Sequence, residues 1–315
     1  MSQLREHNRL QETHEQLFSP QTLEAIKSLE FAAITAAEGA FLGHHRTRRK
    51  GTSTEFREHK IYTPGDDLRR MDWRASAKTD RFQIKQFEDE TNLHVILCVD
   101  HSASMGFPKI GQTKLDYARV LAAAFAYLAL SQHDTVGLLD FSDRITTYLP
   151  PQHSGHHFYN LLQQLLSLVP QKETSAQACV NFFLEAQINH ALVIVLSDLF
   201  YKQKDAIESL SKIVSLGHDL IIVQILDETE VTFPFVEPAE FYALEDTRFQ
   251  YIHPKSYQKA YTLAMKQYIE QCQAHVSKTG GTFTSLLTKT PVHESIREIL
   301  HRYKATYKFA RGIQS

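Results

Sequence analysis

Leu93-His94-Val95-Ile96-Leu97-Cys98-Val99-Asp100-His101-Ser102-Ala103-Ser104-Met105-Gly106 is the stretch on which the reading of the fold turns. The apolar run from Val95 to Val99 is too short for a helix and rich in β-branched residues, so it reads as a strand buried on both faces. It stops at Asp100, and two hydroxyls follow at alternate positions, Ser102 and Ser104. A carboxylate and two hydroxyls beyond a buried strand's carboxyl end are hard oxygen donors, suited to Mg²⁺, Mn²⁺ or Ca²⁺ rather than zinc. The same residues would equally cap a helix and line a loop. Taken alone, the stretch does not choose.

Downstream, the pattern repeats. Ala191 to Ser197 is a second continuous apolar run, ending at Asp198, and Leu220 to Leu226 is a third, ending at Asp227. Helical periodicity covers Lys114 to Ser131, His156 to Leu168, Ser175 to Gln187, Asp205 to Leu216, Lys255 to Ser277 and Pro291 to Tyr307. Shorter strands are expected at Asp134 to Phe141, Ile145 to Leu149 and Thr282 to Leu287. Continuous apolar strands alternating with amphipathic helices predict a doubly wound α/β fold, mostly parallel, with helices on both faces. In such sheets ligands sit beyond the carboxyl ends of the strands, where strand order reverses. If the strands ending at Asp100 and Asp198 are neighbours there, their carboxylates share one crevice. Thr174, on a loop entering a helix between them, would bring a third hydroxyl to it.

Upstream, Ser19-Pro20 starts a helix whose apolar stripe runs to Gly39. Gly43 to Thr54 holds the one concentrated basic patch, Arg46, Arg48, Arg49 and Lys50, read as a solvated loop or an anionic contact. Thr63-Pro64-Gly65-Asp66-Asp67 is a turn signal, since proline presets one φ and glycine permits a positive one. Leu68 to Lys78 then packs Arg69, Arg70, Asp72, Trp73 and Arg74 into a short non-periodic segment that holds the chain's single tryptophan. Internal ion pairs are one explanation; a contact surface built on Asp66, Asp67, Arg69, Asp72, Trp73 and Arg74 is the other. The expected organisation is a polar tail and helix over 1–42, a turn-rich β region over 43–92, the α/β domain over 93–308 and a tail over 309–315.

Composition sets outer limits. The chain has 315 residues and a net charge of −2, so no global field argues for nucleic acid. Its three cysteines, Cys98, Cys179 and Cys272, are widely spaced in apolar contexts, as expected of buried thiols in a reducing compartment. No signal peptide is visible, and the longest apolar run, Val120 to Leu130, is too short to span a bilayer, so a cytoplasmic protein is expected. A phosphate loop fails: after Gly106 and Gly111 the chain offers Gln112-Thr113 where Lys-Ser/Thr is required. Nucleophilic catalysis finds no Gly-x-Ser-x-Gly elbow. His153, His156 and His157 read as chance histidines of a polar loop.

Asp100-x-Ser102-x-Ser104, with a later strand ending at Asp198, resembles the metal-ion-dependent adhesion site of von Willebrand factor A domains. Gly51 to Glu58, Tyr62 to Arg69 and Met71 to Ala77, with Gly217-His218-Asp219 and Asp227 to Glu230 further on, resemble the signature of the bacterial family called domain of unknown function 58. The resemblance implies a von Willebrand A-type fold with a small β region added. It implies Asp100, Ser102, Ser104, Thr174 and Asp198 around a Mg²⁺ ion (or Mn²⁺ or Ca²⁺), with an open position for a partner's carboxylate. The family threonine usually follows glycines, whereas Thr174 follows Lys172-Glu173. A MoxR-type AAA+ ATPase is the implied partner, acting with this chain on a client protein bearing an acidic residue. The expectation is therefore a non-enzymatic interaction module. The alternative is a metal-dependent phosphohydrolase using Asp100, with Lys109 or Lys114 for the phosphate.

Overall fold

A computed structural model describes residues 20–41, 56–62, 71, 73, 76, 82–87, 93–108, 110–186, 188, 190–200, 206–242 and 249–310. The chain divides into two compact units, 45–92 and the remainder, 1–44 with 93–315.

In the smaller unit, β1 (Phe56–Ile61) pairs antiparallel with β2 (Gln83–Phe87), with a register shift between Phe56 and Glu58. Trp73 is exposed and meets Phe82 edge-on, ring centroids 6.5 Å apart. Of the segment's other candidate contact residues, Asp66, Asp67, Arg69, Asp72 and Arg74 lie outside the described residues, as does the basic patch at 46–50.

The larger unit opens with α1 (Pro20–Phe41), followed after the smaller unit by β3 (His94–Asp100), α2 (Lys114–Ser131), β4 (Thr135–Phe141), β5 (Ile145–Gln152), α3 (Gly155–Ser167) and α4 (Ala176–Glu185). Then come β6 (Ala191–Ser197), α5 (Ala206–Ser215), β7 (Asp219–Leu226), α6 (Glu228–Thr232), β8 (Ala239–Tyr242), β9 (Phe249–Ile252), α7 (Pro254–Lys278), β10 (Thr282–Leu287) and α8 (Val292–Ala310). A six-stranded sheet runs β10-β7-β6-β3-β4-β5, parallel throughout except for the antiparallel edge strand β5. This is the doubly wound arrangement expected from the sequence, a mostly parallel sheet flanked by helices.

Strand alternation divides the core in two. Val95, Leu97 and Val99 of β3 face one cluster with α1, α2, α3 and α8, while Ile96 and Cys98 face the other with α4, α5 and α7. Each such side chain taken fully out of water contributes about 1.5–3 kcal/mol. Helix α2 is buried over most of its circumference, as an alanine-rich apolar helix must be. Its alanines share the first cluster with Leu29, Ala33, Ala36 and Ala37 of α1, so α1 belongs to the larger unit's core. All three cysteines are buried free thiols.

Gly137 on β4 is one place where the sheet needs glycine. A Cβ there would stand 2.8 Å from the Leu149 carbonyl oxygen and 3.0 Å from the Pro151 nitrogen of β5. Both contacts are backbone and cannot swing away. Gly137→Ala is therefore expected to cost about 1–3 kcal/mol in urea unfolding, the range for overpacking. An unchanged midpoint would show that β5 moves off freely.

Two features escape the sequence reading. The five-residue α6 is too short to show a helical period. Strands β8 and β9 pair antiparallel with Tyr242 opposite Phe249 and Glu240 opposite Tyr251, and these three aromatic rings are exposed. Aromatic residues on the water side erase the inward-apolar alternation by which a strand is recognised. Strand β5 also runs on through Pro150 and Pro151, which an edge strand tolerates.

Candidate functional site

Strand β3 leads by α2 to β4 on one side, while β6 pairs on its other side, so strand order reverses between β3 and β6. Their carboxyl ends carry Asp100 and Ser197-Asp198.

Asp100 is wholly buried and collects donors from three segments. Its Oδ1 accepts the Ser102 backbone N–H at 2.8 Å. Its Oδ2 accepts the Ser197 hydroxyl at 2.6 Å and the Thr174 hydroxyl at 2.9 Å. The Ser102 and Ser104 hydroxyl oxygens lie 3.1 Å apart. Thr174 is held here because its loop is laced to the β3 exit: Ala103 N–H donates to the Lys172 carbonyl and Gln171 N–H to the His101 carbonyl, both at 2.9 Å. Lys172 takes a left-handed conformation, φ 63°, which a glycine would adopt without strain.

Asp198, buried on the neighbouring strand end, points elsewhere. Its Oδ1 accepts the Phe200 N–H at 3.1 Å, and its Oδ2 accepts the Lys114 ammonium at 2.8 Å. Lys114, the first residue of α2, is itself fully buried and also donates to Glu230 Oε1 at 2.6 Å. Its Nζ stands 5.1 Å from the Phe200 ring centroid and 5.8 Å from that of Phe107. Glu230 is fixed by a second duty: its Oε2 accepts the Asp227 N–H at 2.8 Å in the capping box that starts α6.

The electrostatics follow from burial. Desolvation first, and then the charge of Asp198, push the Asp100 carboxyl up to about 6, against hydrogen bonds from Ser197 and Ser102 that favour ionisation. Burial alone would lower Lys114, but Asp198 and Glu230 outweigh it and raise it, so the ammonium stays charged. Burial raises Glu230 despite the lysine. With an ammonium sealed between two carboxylates at hydrogen-bond distance, the charged pair is the form that stands. His101 faces away from the hydroxyls: its Nε2 lies 3.5 Å from Asp140 Oδ1 and 3.2 Å from Thr146 Oγ1, and its Nδ1 3.3 Å from the Val169 carbonyl.

The structure therefore joins Asp100, Ser102, Ser104 and Thr174 in one hydrogen-bonded group, with Asp198 close enough to act on Asp100 through its charge. Sequence reasoning missed Ser197 and Glu230 and gave Lys114 a different role. Lys114 had been read as a lysine for phosphate, but it is engaged by Asp198 and Glu230; Lys109 lies outside the described residues. A signal for Lys114 was present, because a lysine at a helix's first position opposes the helix dipole and calls for a local anion. His153 and His157 bond to the Asp134 and Val136 carbonyls, where β4 begins, at the opposite end of the sheet from Asp100.

The donors suit a hard divalent cation. The side chains that meet Asp100 do so through hydroxyl oxygens, and no three His, Cys, Asp or Glu side chains converge as a metal group among the described residues, so hydroxyls would share the ligation. Asp100 forms no ion pair among the described residues, and a bound cation would supply the positive charge that its burial lacks.

Fold and crevice together define a doubly wound α/β protein with an oxygen-lined switch point. The chain belongs to the family described as protein of unknown function DUF58, whose profile matches residues 58–267. An uncharacterized protein from Mycobacterium bovis and one from Mycobacterium tuberculosis are each 26% identical over 221 residues, 69% of this chain and 69% of theirs. Among solved structures, an aerotolerance-related membrane protein from Bacteroides fragilis aligns at 16% identity and TM-score 0.44, over 68% of this chain and 99% of that one. The conserved hypothetical protein BatB from Bacteroides thetaiotaomicron aligns at 15% and 0.44 with the same coverages. A von Willebrand factor type A protein from Catenulispora acidiphila aligns at 10% and 0.38, over 71% of this chain and 44% of that one.

Proposed function

We propose that the protein is a non-enzymatic docking module whose crevice holds Mg²⁺ and, through it, an acidic side chain of a partner. The observation that carries this reading is the Asp100 carboxylate, wholly buried beside Asp198, ringed by hydroxyls and without an ion-pair partner among the described residues. Asp100, Ser102, Ser104, Thr174 and Asp198 would hold the cation; Mn²⁺ or Ca²⁺ suits the same donors. The bound metal would offer a carboxylate an open position. Two arrangements favour docking over hydrolysis: Lys114 is engaged by its own carboxylates, and His101 faces Asp140 rather than a crevice hydroxyl.

Family membership makes a MoxR-type AAA+ ATPase the partner to test first, with a client protein acted on by both. The cytoplasm is where such an ATPase would be met. No described helix is long and apolar enough to cross a membrane.

In calorimetry, Mg²⁺ is expected to give a saturable heat with the wild type and none with Asp100→Ala. Capture of a MoxR-type ATPase from the same organism is expected to be lost both in chelator and in that variant. Equal heats for the two proteins would remove the metal from this reading, and capture that survives both treatments would remove the metal-bridged contact.

A further inference from the structure

The crevice already contains a cation of its own. Lys114 Nζ sits 2.8 Å from Asp198 Oδ2 and 2.6 Å from Glu230 Oε1, with both the lysine and Asp198 wholly buried. Phe107 and Phe200 flank the ammonium, so water does not screen it. Asp198 has one oxygen on Lys114 and the other on the Phe200 N–H, whereas Asp100 is met only by neutral donors.

We propose that Lys114 is a tethered counter-cation that weakens divalent-cation binding at the Asp100 crevice by engaging Asp198. The inference rests on the reading of that crevice as a Mg²⁺ site and names what regulates it. Two consequences follow from the charges. A divalent cation entering beside Asp100 meets one carboxylate whose charge is available and one already neutralised, and it is repelled by the ammonium at short range in a low dielectric. A carboxylate arriving from outside adds back the charge that Lys114 removes. Metal and acidic ligand therefore bind each other's complex better than either binds alone, and the site holds its metal more weakly until a partner presents its acid. Glu230 ties this setting to α6, because the residue that shares the ammonium also accepts the N–H of Asp227, the cap of that helix.

The test is Mg²⁺ and Mn²⁺ affinity, measured by calorimetry on the full chain as wild type, Lys114→Met and Lys114→Met/Glu230→Gln. The double variant keeps the wild-type net charge and guards against the single variant failing to fold. Removing the ammonium from Asp198 is expected to tighten the dissociation constant about tenfold or more in every variant that folds, an order of magnitude set by one charge at short range in a low dielectric. Saturable binding by the wild type and binding about tenfold or more tighter by the double variant support the proposal. A double variant with wild-type affinity overturns it while leaving the Mg²⁺ site intact. No binding by any of the three overturns both.

Discussion

Lys114→Met is expected to destabilise the metal-free protein by about 3–5 kcal/mol, the cost of removing one partner from a buried ion pair. The methionine fills much of the lysine's volume, so the loss isolates charge from packing. What it leaves is a pair of carboxylates, Asp198 and Glu230, that lie in contact with the ammonium in the native protein and have little water to replace it. Glu230→Gln added to Lys114→Met removes one of the stranded charges, and its urea midpoint is expected to fall between those of the wild type and the single variant. A single variant within about 1 kcal/mol of wild type would show that the cluster relaxes or hydrates when the ammonium goes, and that it is not a sealed pair.

The second large effect concerns pH. With the Asp100 carboxyl raised to about 6 in the folded protein, from an ordinary value of 3.8, the native state binds a proton more tightly than the unfolded chain. Stability attached to that proton is full below about pH 4 and is lost as pH rises through about 6, roughly two pKa units or about 3 kcal/mol over the whole span. His101 is also raised: burial lowers it, and the Asp140 carboxylate more than compensates. Its contribution is full below pH 6.5 and is lost only above that, so the two windows separate. Asp227 is lowered by its Thr229 hydrogen bonds against the effect of burial, and its change falls below pH 4. The measurement is urea unfolding of metal-stripped wild type and Asp100→Asn from pH 4 to pH 6. The wild type is expected to lose about 2 kcal/mol relative to the variant over that window, and Mg²⁺ at a hundred times its dissociation constant to restore about 2.7 kcal/mol at the upper end. Parallel curves would mean that Asp100 does not carry an unbalanced charge.

These two residues also show how far the sequence could be read. Asp100 was legible because a continuous apolar run that stops at a carboxylate has few structural meanings, and three such runs in one chain define a parallel sheet. The rule for switch points says where a site would lie, but that β3 and β6 are neighbours stood in the sequence only as a condition, and the structure supplies it together with the Asp100–Thr174 hydrogen bond. Lys114 was not legible in the same way. Its partners lie 84 and 116 residues further along, and no local spacing announces a contact between an α2 terminus, a strand end and a five-residue helix. Asp227-x-x-Glu230 has the spacing of a capping box, yet nothing in that spacing says that the second oxygen of Glu230 faces a lysine. Likewise β8 and β9 were hidden because Tyr242, Phe249 and Tyr251 face water, against the pattern that reveals most strands.

Helix α1 shares its apolar cluster with Ile296 and Ile299 of α8, so the two ends of the described larger unit are built into one layer. The smaller unit interrupts that layer in sequence, between residue 44 and residue 93. During synthesis, then, the β1–β2 hairpin has all its residues early, while α1 leaves the ribosome with its alanine-lined face waiting for a helix made some 250 residues later, on the order of ten seconds to a minute at ordinary elongation rates. Helix α2, about 80 residues after α1, can cover part of that stripe first, and the part that faces α8 stays uncovered for the whole interval, which makes α1 the segment that a chaperone would be expected to shield.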